Sequence, residues 1–241
     1  MFRFGLPFGQ DRLIPIWVAT LAVQQKSRVV RFQSAAQILD FFRLSKDGRH
    51  YRRIVQGFQR VFAATIFFGT DDQPDAYHVA DSARFHFFDR IHLWFHDHDQ
   101  STPANDAAKN TITLSEAFYR EIDAHRIPVE REVLAALANA PGLLDFYIWI
   151  VWKSWTLNGQ LTYIPILSPG GLSDQLGSKN YSVGRTFCPV LSKWIRHVKA
   201  LWPECPVDFS QDRQFLMVRS SRKHPAINPQ RPVIPAIGRT L

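Results

Sequence analysis

The residues that invite a catalytic reading stand together at His92-Leu93-Trp94-Phe95-His96-Asp97-His98-Asp99. Imidazole and carboxylate are metal-ligand types, and His92, His96 and His98 would be the ligands of a metal-dependent strand nuclease. The spacing argues against it. A strand running into a polar loop sends alternate side chains to opposite faces and leaves them in solvent. Nucleases that use a His-x-His pair put an apolar residue at its centre, where this chain has Asp97. Their nucleophilic tyrosine commonly stands near a lysine, whereas Tyr119 is followed by Arg-Glu-Ile-Asp. Other signatures are missing. There is no Gly-x4-Gly-Lys-Ser/Thr phosphate loop, and Gly170-Gly171 lacks a third spaced glycine. No Gly-x-Ser-x-Gly elbow occurs. Cys188 and Cys205 have no second pair to complete a zinc site. The expectation is a chain that is not an enzyme and takes no metal or cofactor. Trp149, Trp152 and Trp155 could stack on bases, but in so apolar a segment they read as core.

A different chemistry lies on two long amphipathic segments. In the first, Tyr51, Ile54, Phe58, Val61, Phe62 and Thr65 share one side at 100° per residue, and Arg49, Arg52, Gln56, Gln59 and Arg60 share the other. In the second, Phe187, Leu191, Trp194, Ile195, Val198 and Leu201 form the apolar stripe opposite Arg185, Ser192, Lys193, Arg196 and Lys199. Neither polar face holds an acid, whereas an ordinary solvated helix mixes signs. Arginine and glutamine can make paired bonds to base edges, while lysine acts as a point charge on phosphate. Arg52, Gln56 and Arg185 are therefore assigned to bases, and Lys193, Arg196 and Lys199 to backbone. Arg49, Arg53, Arg60, Lys179 and Ser192 complete the candidate DNA-binding set. Pro189 sits inside the second segment, so that helix either kinks or starts near Cys188.

The surrounding elements form a repeat. An apolar helix over 13–25, a strand at 28–32, a helix over 35–44 capped by Ser34, and a helix from Arg49 to Ala64 precede strands at 65–68 and 77–80. The same order returns as a helix over 143–155, a strand at 161–164, a helix over 169–177 capped by Ser168, a helix from Ser182 to Leu201, and strands at 207–209 and 215–218. Helix, strand, helix, long helix and β-hairpin is the order of a winged helix. Between the copies lie strands near 84–95 and 111–114 and helices over 115–125 and 129–139, the second started by Pro128 and ended by Pro141-Gly142. The fold class read from this is α+β, with two winged-helix domains over 1–110 and 111–218 and a basic, proline-rich, disordered tail over 219–241.

Charge follows the same division. Residues 1–70 carry +8, residues 71–150 carry −8, and residues 151–241 carry +8. Two basic blocks around an acidic middle suit two contacts with a polyanion. No apolar run reaches the ~18 residues of a membrane span, and Met1–Gln10 does not read as a signal peptide. A reducing bacterial cytoplasm is the expected compartment.

Several segments together resemble the plasmid-encoded RepA replication proteins. They are Leu6-Pro7-Phe8-Gly9, Ser34-Ala-Ala-Gln-Ile-Leu, Phe62-Ala-Ala-Thr-Ile, Asn110-Thr-Ile-Thr-Leu-Ser-Glu-Ala-Phe, Ile127-Pro-Val, Ala138-Asn-Ala-Pro-Gly-Leu-Leu-Asp-Phe-Tyr-Ile-Trp and Leu191-Ser-Lys-Trp-Ile. One departure is Leu13-Ile14-Pro15-Ile16, which lacks the arginine often found after that proline. The resemblance implies a plasmid initiator that binds repeated double-stranded sites at an origin. It also implies recruitment of host replication proteins such as a helicase or host initiator, and homodimers in autoregulation. A winged-helix transcriptional regulator would carry the same surface chemistry.

Overall fold

Thirteen residues without a charge, Leu13–Gln25, can only be a helix with most of its circumference covered, and α1 buries Leu13, Ile14, Trp17, Val18 and Ala22. Lys26 adopts a left-handed conformation (φ 50°) that stops it. β1 (Val29–Phe32), α2 (Ala36–Phe41) and α3 (Gly48–Ala63) follow, then β2 (Ile66–Gly69), β3 (Ser82–Phe85), β4 (Phe88–His92), β5 (Asn110–Leu114) and α4 (Glu116–Ala124). A 3-10 turn, Gly9–Arg12, precedes α1. The computed structural model describes residues 6–69, 82–93, 110–167, 169–176 and 184–221. They fall into two units, Met1–Arg126 and Ile127–Leu241. The second holds α5 (Arg131–Leu137), α6 (Pro141–Thr156), β6 (Leu161–Pro165), α7 (Leu172–Gln175), α8 (Gly184–Leu201), β7 (Val207–Phe209) and β8 (Phe215–Arg219). Among the described residues no helix is long and apolar enough to cross a membrane. The fold is α+β, with small antiparallel sheets.

The two three-stranded sheets share one topology. Their orders are β1-β5-β4 and β6-β8-β7, so in each the last strand lies between the first and the second. β2 and β3 form a separate two-stranded ladder in the first unit, without a counterpart among the described residues of the second. This changes two sequence readings. The strand pairing with β2 is Ser82–Phe85, and residues 77–80 lie outside the described ones. The counterpart of the β7–β8 hairpin is β4–β5, because β5 is the strand that pairs with β1. For the same reason the units divide after Arg126, whereas the sequence suggests a division at 110.

Local capping explains most other differences. Ser34 does not cap α2; Ala35 holds that position without a side-chain bond. α3 begins at Gly48, one residue before the expected Arg49, because Asp47 accepts from the backbone N–H of Arg49 and His50. Ser115 caps α4, accepting from Phe118 N. Pro128 does not start α5, which begins at Arg131. Pro141 starts α6 rather than ending α5, in the first-turn position where a missing N–H costs nothing. α7 is shorter than expected and begins after Gly171; Ser168, Gly177 and Ser182 lie outside the described residues. Arg219 closes β8, and the rest of the tail from Arg222 is outside them too.

Candidate nucleic-acid interface

In the first unit α3 is set by its apolar side. Ile54, Phe58 and Val61 are buried, with Phe58 beside Trp17 and Phe32 at ring separations of 6.4 Å. Phe62 and Thr65, expected on that side, are exposed, Thr65 lying beyond the helix end. On the opposite side Arg49, Arg52, Arg53 and Gln56 are exposed. Arg52 Nε donates to the Gly48 carbonyl (3.1 Å) and Arg53 to Gln10 Oε1 (2.9 Å). None of the four meets a carboxylate among the described residues.

Arg60 does not belong to this surface. It is 9% exposed and makes a two-pronged bond to Asp11, itself 3% exposed, at 2.6 and 2.8 Å. The Phe8 ring covers the guanidinium at 4.7 Å, and Asp11 raises its affinity for its proton. The remaining Asp11 capacity takes the Phe8 N–H (3.0 Å). Periodicity places Arg60 on the polar side but cannot show that the 3-10 turn folds over that end of the helix. A Cβ on Gly57 would stand 2.7 Å from Asp11 Oδ1, so only glycine admits this approach.

In the second unit α8 buries Phe187, Leu191, Ile195 and Val198. Trp194 packs half-buried against Phe146 and Phe187, at ring separations of 5.8 and 6.3 Å. α8 starts at Gly184 and runs through Pro189, so it does not begin near Cys188. Ser192 Oγ donates to the Cys188 carbonyl (2.8 Å). Lys193 and Arg196 are exposed and meet no carboxylate among the described residues. Lys199 is different. It is half-buried and paired with Asp208 of β7 (2.5 Å), which braces α8 against the hairpin. Arg185 lies on the first turn of α8. Lys179, His96 and His98 lie outside the described residues. Among the described residues no group of three or more His, Cys, Asp or Glu could hold a metal.

One basic residue escapes the sequence reading. Arg213, in the β7–β8 turn, has φ 57°, lies over the Phe209 ring at 4.7 Å and donates to Ser192 Oγ of α8 (3.1 Å). The turn is built by Ser210 and Asp212. Asp212 Oδ1 accepts from Ser210 Oγ and Gln214 N, which holds its pKa below the ordinary carboxylate value. The turn signal of residues 210–213 is the available clue; which of them points back to the helix depends on a left-handed residue. The tryptophans also differ from expectation. Trp149 is buried and donates to Gln175 Oε1 (3.0 Å), but Trp152 and Trp155 are 40% and 39% exposed. A step of three residues turns 300°, so successive tryptophans drift away from the core side.

Each unit thus sets a basic helix against a three-stranded antiparallel sheet of the same strand order, an α+β arrangement with an acid-free exposed face. Residues 48–163, a little under half of the chain, match the family described as plasmid encoded RepA protein. That match agrees with the resemblance carried by the sequence segments. No curated protein matches. Two solved structures share the fold. A crystal structure of RctB domains 2–3 is 14% identical, with a TM-score of 0.51, covering 80% of this chain and 69% of that one. Selenomethionine derivatives of domain 2 and domain 3 of RctB give 13% identity and a TM-score of 0.53, covering 84% and 72%.

Proposed function

We propose that the chain is a plasmid replication initiator that binds repeated double-stranded DNA sites at its origin through two winged-helix units, without a catalytic step of its own. The observation that carries this reading is the second unit's surface. An acid-free helix face with Lys193 and Arg196 stands beside a hairpin whose turn returns Arg213 to that helix. A helix supplies side chains to the major groove, and Arg213 of the adjoining hairpin turn reaches toward the neighbouring backbone. Arg52 and Gln56 take the corresponding role in the first unit. The RepA family match supports the plasmid setting. Host replication proteins are the further partners of this reading.

Footprinting on DNA flanking the coding region tests it. Direct repeats should be protected. Arg52→Ala/Gln56→Ala should lose one end of the protected stretch and Lys193→Ala/Arg196→Ala the other, because joined modules bind as linked contacts. Even loss across the whole site in both variants overturns the two-module reading. Protection of a promoter alone, with plasmid maintenance independent of the protein, replaces the initiator with a transcriptional regulator.

A further inference from the structure

A strand at the edge of a sheet offers unpaired N–H and C=O groups to any strand that meets it, and proteins usually block such edges. Three of the four outer edges of the two three-stranded sheets carry a block. On β1 the outward Arg31 is sealed by Gln25, whose Oε1 accepts from Arg31 N (2.9 Å) and whose Nε2 donates to Arg31 O (2.7 Å). β4 is charged at Asp89 and Arg90 and irregular between Phe88 and Arg90. β7 has three residues, with Asp208 held by Lys199. The fourth edge, β6, has the sequence Leu-Thr-Tyr-Ile-Pro, with no charge.

The backbone phase of β6 follows from its ends. Ser220 N donates to Gln160 O and Ile166 N donates to Gln214 O, so the even residues between them bond to β8. Leu161 and Tyr163 therefore turn their backbone groups to the edge that no strand among the described residues covers. Their side chains are 45% and 54% exposed. Pro165, the next outward residue, has no N–H, so the open ladder ends there.

We infer that β6 is a self-association edge, and that two copies of this chain pair β6 with β6 antiparallel about a two-fold axis through Thr162. In that register Leu161 of one copy lies opposite Tyr163 of the other, twice. Each pair exchanges two backbone bonds and sets an aliphatic side chain against an aromatic ring, a favourable cross-strand pair. Thr162 faces its own copy, another favourable pair. No charge opposes a like charge on the strand. This self-complementarity selects a second copy over an unrelated strand, as an isologous interface requires. Two five-residue strands cover less than the roughly 1,200 Å² of a stable interface, so the dimer is weak, with Kd on the order of 10 μM.

Sedimentation velocity of the full chain from about 1 to 100 μM tests the inference at the concentration range that this Kd sets. Wild type should shift from monomer to dimer. Leu161→Lys alone and Tyr163→Glu alone should each stay monomeric. Mixed in equal amounts they should dimerise. The mixed pair sets the introduced ammonium of one variant opposite the introduced carboxylate of the other, and keeps the native Tyr163 opposite the native Leu161 on the second side. A monomeric wild type at about 100 μM overturns the proposal, as does dimerisation of both single variants or failure of the mixture to associate. If either variant melts unlike wild type, Thr162→Cys decides. Under mild oxidation it should crosslink to a dimer that wild type, with its native Cys188 and Cys205, does not form. Absence of that crosslink sinks the register.

Discussion

The two units present the same face by different internal means. In the first, the end of α3 is clamped by a buried ion pair, Arg60 to Asp11, roofed by Phe8. In the second, α8 is held mainly by ring packing on α6, with Trp194 against Phe146 and above Gly142, where a Cβ would come within 2.9 Å of the indole, and its ion pair, Lys199 to Asp208, is only half-buried. One strand order serves both. An ion pair fixes direction as well as distance, at the expense of two desolvated charges; ring packing has no such liability but depends on volume.

The largest expected effect breaks the electrostatic clamp. Arg60→Ala should destabilise the first unit by about 3–5 kcal/mol, because Asp11 is left buried and unpaired. Hydrogen exchange should report the loss in α1 and α3 and spare α6 and α8. Replacing both partners, Arg60→Met with Asp11→Leu, should recover most of it; a double variant as unstable as the single one would mean that the pair's direction, not its neutrality, holds the unit. Next come the two close approaches. Gly57→Ala and Gly142→Ala should each cost about 1–3 kcal/mol by overpacking. Removing the Trp194 ring with Trp194→Leu should relieve the second, and thermal melts of the single and double variants give the coupling. A smaller effect concerns DNA affinity. Lys193→Ala should lower the slope of log K against log salt by about one, whereas Lys199→Ala should change it less, since Lys199 already neutralises Asp208. Equal slopes would erase that distinction. The smallest is a pH effect on α3. Bonds from the His50 backbone, then the His50 side chain, hold the Asp47 pKa below its ordinary value. A carboxylate depressed in the folded state stabilises above its unfolded pKa, and the contribution fades as pH falls through the folded pKa. Helix content in α3 should therefore drop on acidification below about pH 4 in wild type and less in Asp47→Asn, measured by site-resolved exchange.

What the sequence discloses follows the range of the interactions involved. Period-3.6 stripes locate α3 and α8, and alternation with β-branched residues locates β1, because both signals are written within one element. The apolar character of α6 is visible, but not that Trp152 and Trp155 emerge from its packed side. Long-range choices are not visible. That β5 rather than β2 completes the first sheet depends on pairing across some eighty residues, Val30 with Ile112 for one, and it moves the boundary between the units. Arg60 looks like its neighbours Arg52 and Arg53 until Asp11, 49 residues earlier, takes it inward. Arg213 reaches α8 through a left-handed backbone that no composition signal demands.

The loss of Arg60 to the interior has a consequence of scale. What remains outward on α3 runs from Arg49 to Gln56, a rise of about 10 Å along the axis at 1.5 Å per residue. Stacked base pairs advance about 3.4 Å each, so that length spans roughly three of them. The outward cations also sit at the end of α3 where backbone N–H groups point along the axis and the helix field is positive. On α8 Lys193 and Arg196 stand beyond the midpoint instead. Under the proposed DNA-binding role, the first helix would meet a groove end-on over about three base pairs, and the second would lie along it.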